Sequence, residues 1–212
     1  YTTLFRSFNL GVVLKVSGRP NLAVESYKKA IELLPNYLGA HNNLGNALKQ
    51  IGKLEEAVIS YQNAIAIKPD YAEAYNNLGI TFMSLERLDE AVKSYEMAIS
   101  INSEYFDAHN NLAIVLKKLK RLVEALVNYE RANELKPDRN FILGHILQLK
   151  KDLCVWDNLT IDLKDLTKKT KIKILWLWPN IDAGSDIFSK QIRILKEENN
   201  NSIRFVRNFN PE

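Results

Sequence analysis

Four asparagines recur along the chain at an interval of 34 residues: Asn9, Asn43, Asn77 and Asn111. A carboxamide carries hydrogen-bond donors and an acceptor, so one side chain pairs with both the N–H and the C=O groups of a peptide backbone. The same group repeated at one structural address would hold an extended polypeptide with little regard to its sequence. We call these four residues the asparagine ladder, and their spacing predicts a device for binding a peptide main chain.

A repeat of this length is typical of stacked helix-turn-helix units. Apolar and small residues recur with the same period, and in each helix they are three, four and seven residues apart, which gives one apolar stripe. The recurring sets are Leu10, Leu44, Leu78 and Leu112; Ala23, Ala57, Ala91 and Ala125; Tyr27, Tyr61, Tyr95 and Tyr129; and Pro35, Pro69 and Pro137. We therefore predict four helical hairpins, at residues 3–36, 37–70, 71–104 and 105–138, whose stacking buries a shared core.

The turn between the two helices of a unit carries glycine in the first two units only. Gly18 and Gly52 stand where the first helix should end, a position that commonly requires a positive φ. Glu86 and Lys120 replace them in the third and fourth units. We expect these two turns to be either slightly strained or shaped differently, with the helical register continuing through them.

Taken together, these positions resemble the tetratricopeptide repeat (TPR), and the resemblance implies an all-α TPR superhelix. In that family the first helix of each unit lines the concave face. Counting from Leu38 as the first position of its unit, the asparagine ladder occupies sixth positions. The other groove residues that the resemblance implies are Asn42, Asn76 and Asn110 at fifth positions, Asn46 at a ninth, and Lys49 and Lys117 at twelfth positions.

We expect these side chains to bind an extended polypeptide segment of a protein partner, and the lysines to favour acidic segments. A structural alternative stays open, because asparagine at the ladder position is common in the family and also supports packing between repeats. A carboxylate clamp for chaperone tails is not expected, since that clamp needs Lys or Arg at second and sixth positions. The second positions here hold Phe5, Gly39, Glu73 and Asp107.

The repeat pattern ends after Asp138. Residues 139–169 are expected to form capping helices, at 141–151 and 157–166, followed by a polar linker. Residues 170–212 place a helical segment between two short β-forming runs, which is typical of the start of an α/β Rossmann-like domain, here incomplete. Gly184 and Ser185 form a weak candidate phosphate-binding turn. Ser185 is equally suited to capping the following helix, and that reading is favoured.

Within the TPR family, residues 40–45 and 74–79 resemble units of the arrays attached to bacterial O-linked N-acetylglucosamine transferase-type glycosyltransferases. The segment from His145 to Asp157 is similar to a Cys-Asp-Trp segment that follows such arrays. The resemblance covers residues 3–157. It implies that the array recognises an acceptor polypeptide for a catalytic domain of a larger protein. It also implies a sugar nucleotide for that parent protein, and no cofactor is expected in this chain.

The composition, 46% hydrophobic and 25% charged with a net charge of +4, is ordinary for a soluble, core-forming chain. No basic cluster is interleaved with aromatic residues, so nucleic acid is not an expected ligand. No apolar run approaches the length of a membrane span, so no membrane contact is expected. Cys154 is the only cysteine, which fits a reducing compartment and a cytoplasmic location.

No complete catalytic or metal site is evident in the sequence. His41 and His109 fall at a packing position of the repeat, and His145 has no second ligand at metal-binding spacing. The leading interpretation is a protein–protein interaction module at the N-terminal part of a larger protein. The alternatives are an acceptor-recognition region of a glycosyltransferase and a non-catalytic assembly scaffold. The sequence leaves the oligomeric state open.

Overall fold

The structure is a computed structural model, and it describes residues 2–153 of the 212. All regular structure in this range is helical. The first four helices are α1 (Thr2–Val16), α2 (Pro20–Leu33), α3 (Leu38–Gln50) and α4 (Leu54–Ile67). They are followed by α5 (Ala72–Ser84), α6 (Leu88–Ile101), α7 (Phe106–Lys118), α8 (Leu122–Leu135) and α9 (Asn140–Asp152).

The first eight helices form four hairpins, as the repeat pattern predicts. Within each hairpin the two helices contact each other, in the pairs α1–α2, α3–α4, α5–α6 and α7–α8. The second helix of each hairpin also contacts the first helix of the next one. In addition α3 contacts α1 and α5, and α5 contacts α7. The first helices therefore lie side by side, and any residue at a fixed position in them recurs along one surface.

The close approach within a hairpin comes from a tyrosine that faces a residue without a side chain. Tyr61, in α4, is fully buried against Gly45 of α3. A Cβ atom placed on Gly45 would lie only 2.6 Å from the Tyr61 ring. A Cβ atom placed on Gly11 would lie at the same distance from the Tyr27 ring, and one placed on Gly79 at the same distance from the Tyr95 ring. The recurring glycine and tyrosine are thus two halves of one contact, repeated in three successive hairpins.

The turns inside the hairpins adopt the left-handed backbone conformation that the first two glycines suggest. Gly18 has φ +73° and Gly52 has φ +80°. Glu86 and Lys120 hold the same conformation, with φ 57° and 63°, although neither is a glycine. The third and fourth turns thus have the shape of the glycine turns, in a region where a Cβ atom meets the following carbonyl oxygen.

The first compact unit of the chain ends at Pro137, and the second begins at Asp138. In the second unit the structure has the helix α9, where the sequence predicts one at 141–151. The other predictions for the C-terminal part fall outside the described residues. These are the helix at 157–166, the linker, the α/β segment at 170–212, the turn at Gly184 and Ser185, and Cys154.

Candidate functional site

The candidate site is the surface formed by positions five, six, nine and twelve of α1, α3, α5 and α7, which we call the first-helix face. The asparagine ladder lies here at different depths. Asn9 is exposed, whereas Asn43, Asn77 and Asn111 are half-buried. Asn42 and Asn76, at the fifth positions, are only 3% and 5% exposed. The ladder therefore lies above a second row of amides, which were themselves predicted to contact the ligand.

The two rows of amides are joined by hydrogen bonds across the boundaries between repeats. The Asn77 side chain donates from Nδ2 to Oδ1 of Asn42 at 3.3 Å. The Asn111 side chain donates in the same way to Oδ1 of Asn76 at 3.2 Å. Each ladder amide thus donates to the buried amide of the preceding repeat, which orients its carboxamide. One N–H of each bonded ladder amide is used in this way.

A carboxylate anchors the lower row between the second and third repeats. The Nδ2 atom of Asn42 donates to Oε1 of Glu73 at 3.0 Å, and the Tyr71 hydroxyl donates to Oε2 of Glu73 at 3.1 Å. Partial burial raises the pKa of Tyr71 to about 12, and the negative charge of Glu73 adds to this effect. The chain Tyr71–Glu73–Asn42–Asn77 is therefore a continuous polar network. Glu73 occupies a second position of the repeat, and no binding role was predicted for it.

The first boundary between repeats has no such pair of amides. Phe8 occupies the fifth position of the first repeat and packs against Tyr27 and Tyr37, with ring centroids 5.9 and 4.9 Å away. An aromatic ring at this address offers no acceptor equivalent to Oδ1. Accordingly, the Asn43 side chain makes no hydrogen bond within residues 2–153. Its amide is free for a ligand, although it is less firmly oriented than the amides of Asn77 and Asn111.

Asn46 was predicted to contact the ligand, and it also has a partner inside the protein. The buried Tyr61 hydroxyl donates to Oδ1 of Asn46 at 2.8 Å. The ninth position holds Ile80 in the third repeat, and the buried Tyr95 hydroxyl there has no partner among the described residues. Asn46 thus supplies an acceptor to one tyrosine of the repeat series, and its Nδ2 group remains available.

The remaining predicted residues are Asn110, Lys49 and Lys117, and all three are half-buried. The Asn110 Oδ1 atom is enclosed with no hydrogen-bond partner in the described part of the chain. Burial lowers the pKa of the Lys49 ammonium, and the positive charge of Lys15 lowers it further. Lys15 occupies the equivalent twelfth position in α1, where the repeat spacing also predicts an inward side chain.

The histidines of the repeats are packing residues, as expected. His41 is buried, and its Nε2 lies 2.7 Å from the Pro35 carbonyl oxygen. His109 is buried between the Ser103 carbonyl oxygen and the Asn128 side chain, at 3.1 and 3.0 Å. Within residues 2–153, no cluster of three or more His, Cys, Asp or Glu residues is arranged to bind a metal ion.

Stacked hairpins with a period of 34 residues, a tyrosine–glycine contact inside them and a row of first helices define an α-solenoid of short helical repeats. Comparison with protein families agrees with this class. A family described as "TPR repeat" matches residues 11–52 and 45–85, and two described as "Tetratricopeptide repeat" match residues 72–105 and 106–139. These matches together span more than half of the chain, and the chain belongs to the tetratricopeptide repeat family.

Solved structures of TPR proteins have the same fold. A crystal structure of MamA matches with a TM-score of 0.72 and 24% identity, over 84% of this chain and 98% of that one. PilF of Pseudomonas aeruginosa matches with a TM-score of 0.68 and 19% identity, over 79% and 77% of the two chains. YrrB, described as a TPR protein with an unusual peptide-binding site, matches with a TM-score of 0.64 and 18% identity, over 78% and 85%.

Among curated proteins, no sequence matches this chain. The described helices, from α1 to α9, include none that is both long and apolar enough to cross a membrane.

Proposed function

We propose that the TPR array is a protein-interaction module that binds an extended polypeptide segment on its first-helix face. The observation that carries this proposal is the state of the ladder amides at Asn77 and Asn111. Each is oriented by one hydrogen bond to a buried amide, and each retains an N–H group and its Oδ1 acceptor. Two polar groups held in a fixed direction at the same address match the repeating N–H and C=O groups of an extended chain.

The hydrogen bonds between the amide rows are compatible with both roles considered for the ladder. They support packing between repeats, because each bond joins side chains of two successive hairpins. They also hold the carboxamides in place before a ligand arrives, which lowers the entropic cost of binding. The structural match to YrrB, which is described as having a peptide-binding site, adds support from a protein of the same fold.

The test starts from a phage-displayed library of random dodecapeptides selected on the 212-residue chain. A selected peptide is then synthesised in two series, one with single backbone N-methyl groups and one with single alanines. If the ladder binds the main chain, N-methylation at two or more positions should weaken binding at least tenfold, measured by fluorescence anisotropy, because it removes a backbone donor. Alanine substitutions should have smaller effects.

Two controls make the result specific to the first-helix face. Asn43→Ala should weaken peptide binding, since this amide has no bond within the described residues. Lys29→Ala, an exposed residue on α2, should leave binding unchanged. If no peptide is selected, or if the Asn43 variant binds every selected peptide as tightly as the original chain, the groove proposal fails.

A second candidate function is recognition of an acceptor for a glycosyltransferase domain. It is favoured by the resemblance of residues 3–157 to arrays attached to such enzymes, and not by a feature of the described helices. The test uses the protein expressed with the reading frame that follows Glu212. Transfer of a sugar from UDP-N-acetylglucosamine to a serine-containing selected peptide, seen as a mass gain, would support it. Absence of transfer with an otherwise bound peptide would leave only the interaction module.

A further inference from the structure

Two lysines lie at the same position of neighbouring first helices. Lys15 is in the last turn of α1, and Lys49 is in the last turn of α3. The two helices contact each other directly, and both side chains are half-buried. Burial lowers the pKa of the Lys49 ammonium, and the positive charge of Lys15 contributes to the same shift. The first-helix face therefore carries a concentration of positive charge at its first two repeats.

This pair has no counter-charge in the described part of the protein. Neither Lys15 nor Lys49 has a carboxylate within ion-pair distance among residues 2–153. Other cations do have one: Lys53 lies 2.9 Å from Glu56, and Arg121 lies 2.6 Å from Glu124. An exposed lysine is stabilised by water and needs no partner, but the Lys49 ammonium has lost part of its hydration.

The position of Lys15 and Lys49 at helix ends suggests another reason for their presence, stabilisation of the helices, which must be separated from ligand binding. A cation in the last turn of a helix interacts favourably with the partial negative charge of that end. This effect stabilises each helix individually, and it is opposed here by repulsion between the two ammonium groups and by the partial dehydration of Lys49. The helix-end effect would be seen in the free protein, whereas a binding role would be seen only with a ligand.

We propose that Lys15 and Lys49 together form a subsite for one anionic side chain of the bound polypeptide, which rests on the peptide-binding function proposed above. An anion between them would neutralise both charges and replace the lost hydration with charge-assisted hydrogen bonds. The subsite lies at the first two repeats. The third repeat has Met83 at the same position, so the lysine pair does not continue into α5.

The test uses the selected dodecapeptide made in three forms, with glutamate, glutamine or phosphoserine at the residue that lies nearest to the first two repeats. That residue is located by attaching a nitroxide at each peptide position in turn and observing broadening of the Lys49 NMR signals. The glutamate form should bind about tenfold more tightly than the glutamine form, the gain expected from one well-placed charge. A larger gain for phosphoserine than for glutamate would identify a phosphorylated segment as the better ligand. If glutamate and phosphoserine raise the affinity equally, a carboxylate is a sufficient ligand for the subsite.

The matched variants are the double change Lys15→Met and Lys49→Met, and the single change Lys29→Met at an exposed position of α2, outside the first-helix face. In the double variant the ratio of glutamate to glutamine affinity should fall to about one, while the glutamine form still binds. In the Lys29 variant the ratio should stay near its original value. The gain should also decrease as NaCl is raised.

The outcomes separate this inference from the function on which it rests. Failure of the glutamine form to bind would contradict the peptide-binding function itself. Normal binding of that form, with no gain from glutamate or with an unchanged gain in the double variant, would overturn the anionic subsite alone. A lower urea midpoint of the double variant together with an unchanged ratio would assign the lysines to helix-end stabilisation.

Discussion

The Asn77 side chain donates a hydrogen bond to Oδ1 of Asn42 at 3.3 Å, across the boundary between the second and third repeats. The same relationship joins Asn111 to Asn76 one repeat further on. Asn43 has no such partner, because the fifth position of the first repeat is Phe8. Members of the asparagine ladder therefore differ in whether they form a hydrogen bond between repeats. This difference should appear in the free energy of unfolding of their alanine variants.

Replacement of Asn77 by alanine should destabilise the array more than replacement of Asn43. Asn77→Ala leaves the Oδ1 atom of Asn42 without its donor in a site that is 3% exposed, which costs about 1–3 kcal/mol. Asn43→Ala removes no hydrogen bond within the described residues and should change the free energy of unfolding by less than about 0.5 kcal/mol. Urea denaturation followed by circular dichroism measures both, and equal losses would contradict the pairing.

Two glycines of the same helix should respond to alanine in opposite directions. In Gly45→Ala the new Cβ would lie 2.6 Å from the Tyr61 ring, so the ring or the two helices must shift, at a cost of about 1–3 kcal/mol. In Gly39→Ala the nearest atom is at 3.5 Å, an ordinary contact, and the higher helix propensity of alanine should stabilise α3 by about 0.5–1 kcal/mol. Thermal unfolding of the two variants gives the comparison, and a stable Gly45 variant would refute the close contact.

Glycine at position 120 should stabilise the protein. Lys120 has φ 63° at the end of α7, a conformation that disfavours a side chain by about 1–2 kcal/mol. Lys120→Gly removes this strain, and part of the gain is offset by the greater freedom of glycine in the unfolded chain, so we expect about 1 kcal/mol. Lys120→Ala removes the same charge and keeps the Cβ atom, which makes it the control. A gain in the alanine variant equal to that in the glycine variant would assign the effect to charge.

The array should lose stability in alkaline solution between pH 10 and pH 12. Burial raises the pKa of Tyr27 and Tyr129 from 10.0 to about 12, and burial also raises the pKa values of Tyr61 and Tyr95. Between these limits the unfolded chain releases phenolic protons that the folded chain retains, so the free energy of unfolding decreases as pH rises. Each buried tyrosine contributes a slope of about 1.4 kcal/mol per pH unit.

Urea denaturation at pH 8 to 12 measures this dependence. Below pH 9 the tyrosines should add no pH dependence to the free energy of unfolding, because they are protonated in both states. In Tyr95→Phe the free energy of unfolding should fall less steeply with pH above pH 10, by the contribution of one tyrosine. The change also removes the buried Tyr95 hydroxyl, which has no partner among the described residues. An unchanged slope in this variant would show that Tyr95 titrates with its ordinary pKa in the folded protein.

The sequence by itself determined the repeat architecture, because helical periodicity and backbone sterics are local. Apolar residues three and four positions apart predict one buried face of each helix, and the 34-residue interval predicts the number of hairpins. The repeat spacing also placed Glu86 and Lys120 at the turn position of the first two glycines, and their left-handed conformation was seen in the structure. These properties depend on neighbouring residues and on the repetition of the pattern.

Only the tertiary structure decided which ladder amides are engaged and which lysines lie on contacting helices. Asn42 and Asn77 are 35 residues apart, and their hydrogen bond depends on how two hairpins stack. The same stacking brings α1, which carries Lys15, into contact with α3, which carries Lys49. Burial and hydrogen bonding depend on distances between atoms of different repeats, which a position in the repeat does not specify. For that reason Asn77 and Asn111 are bonded to buried amides, whereas Asn43, at the same repeat position, is not.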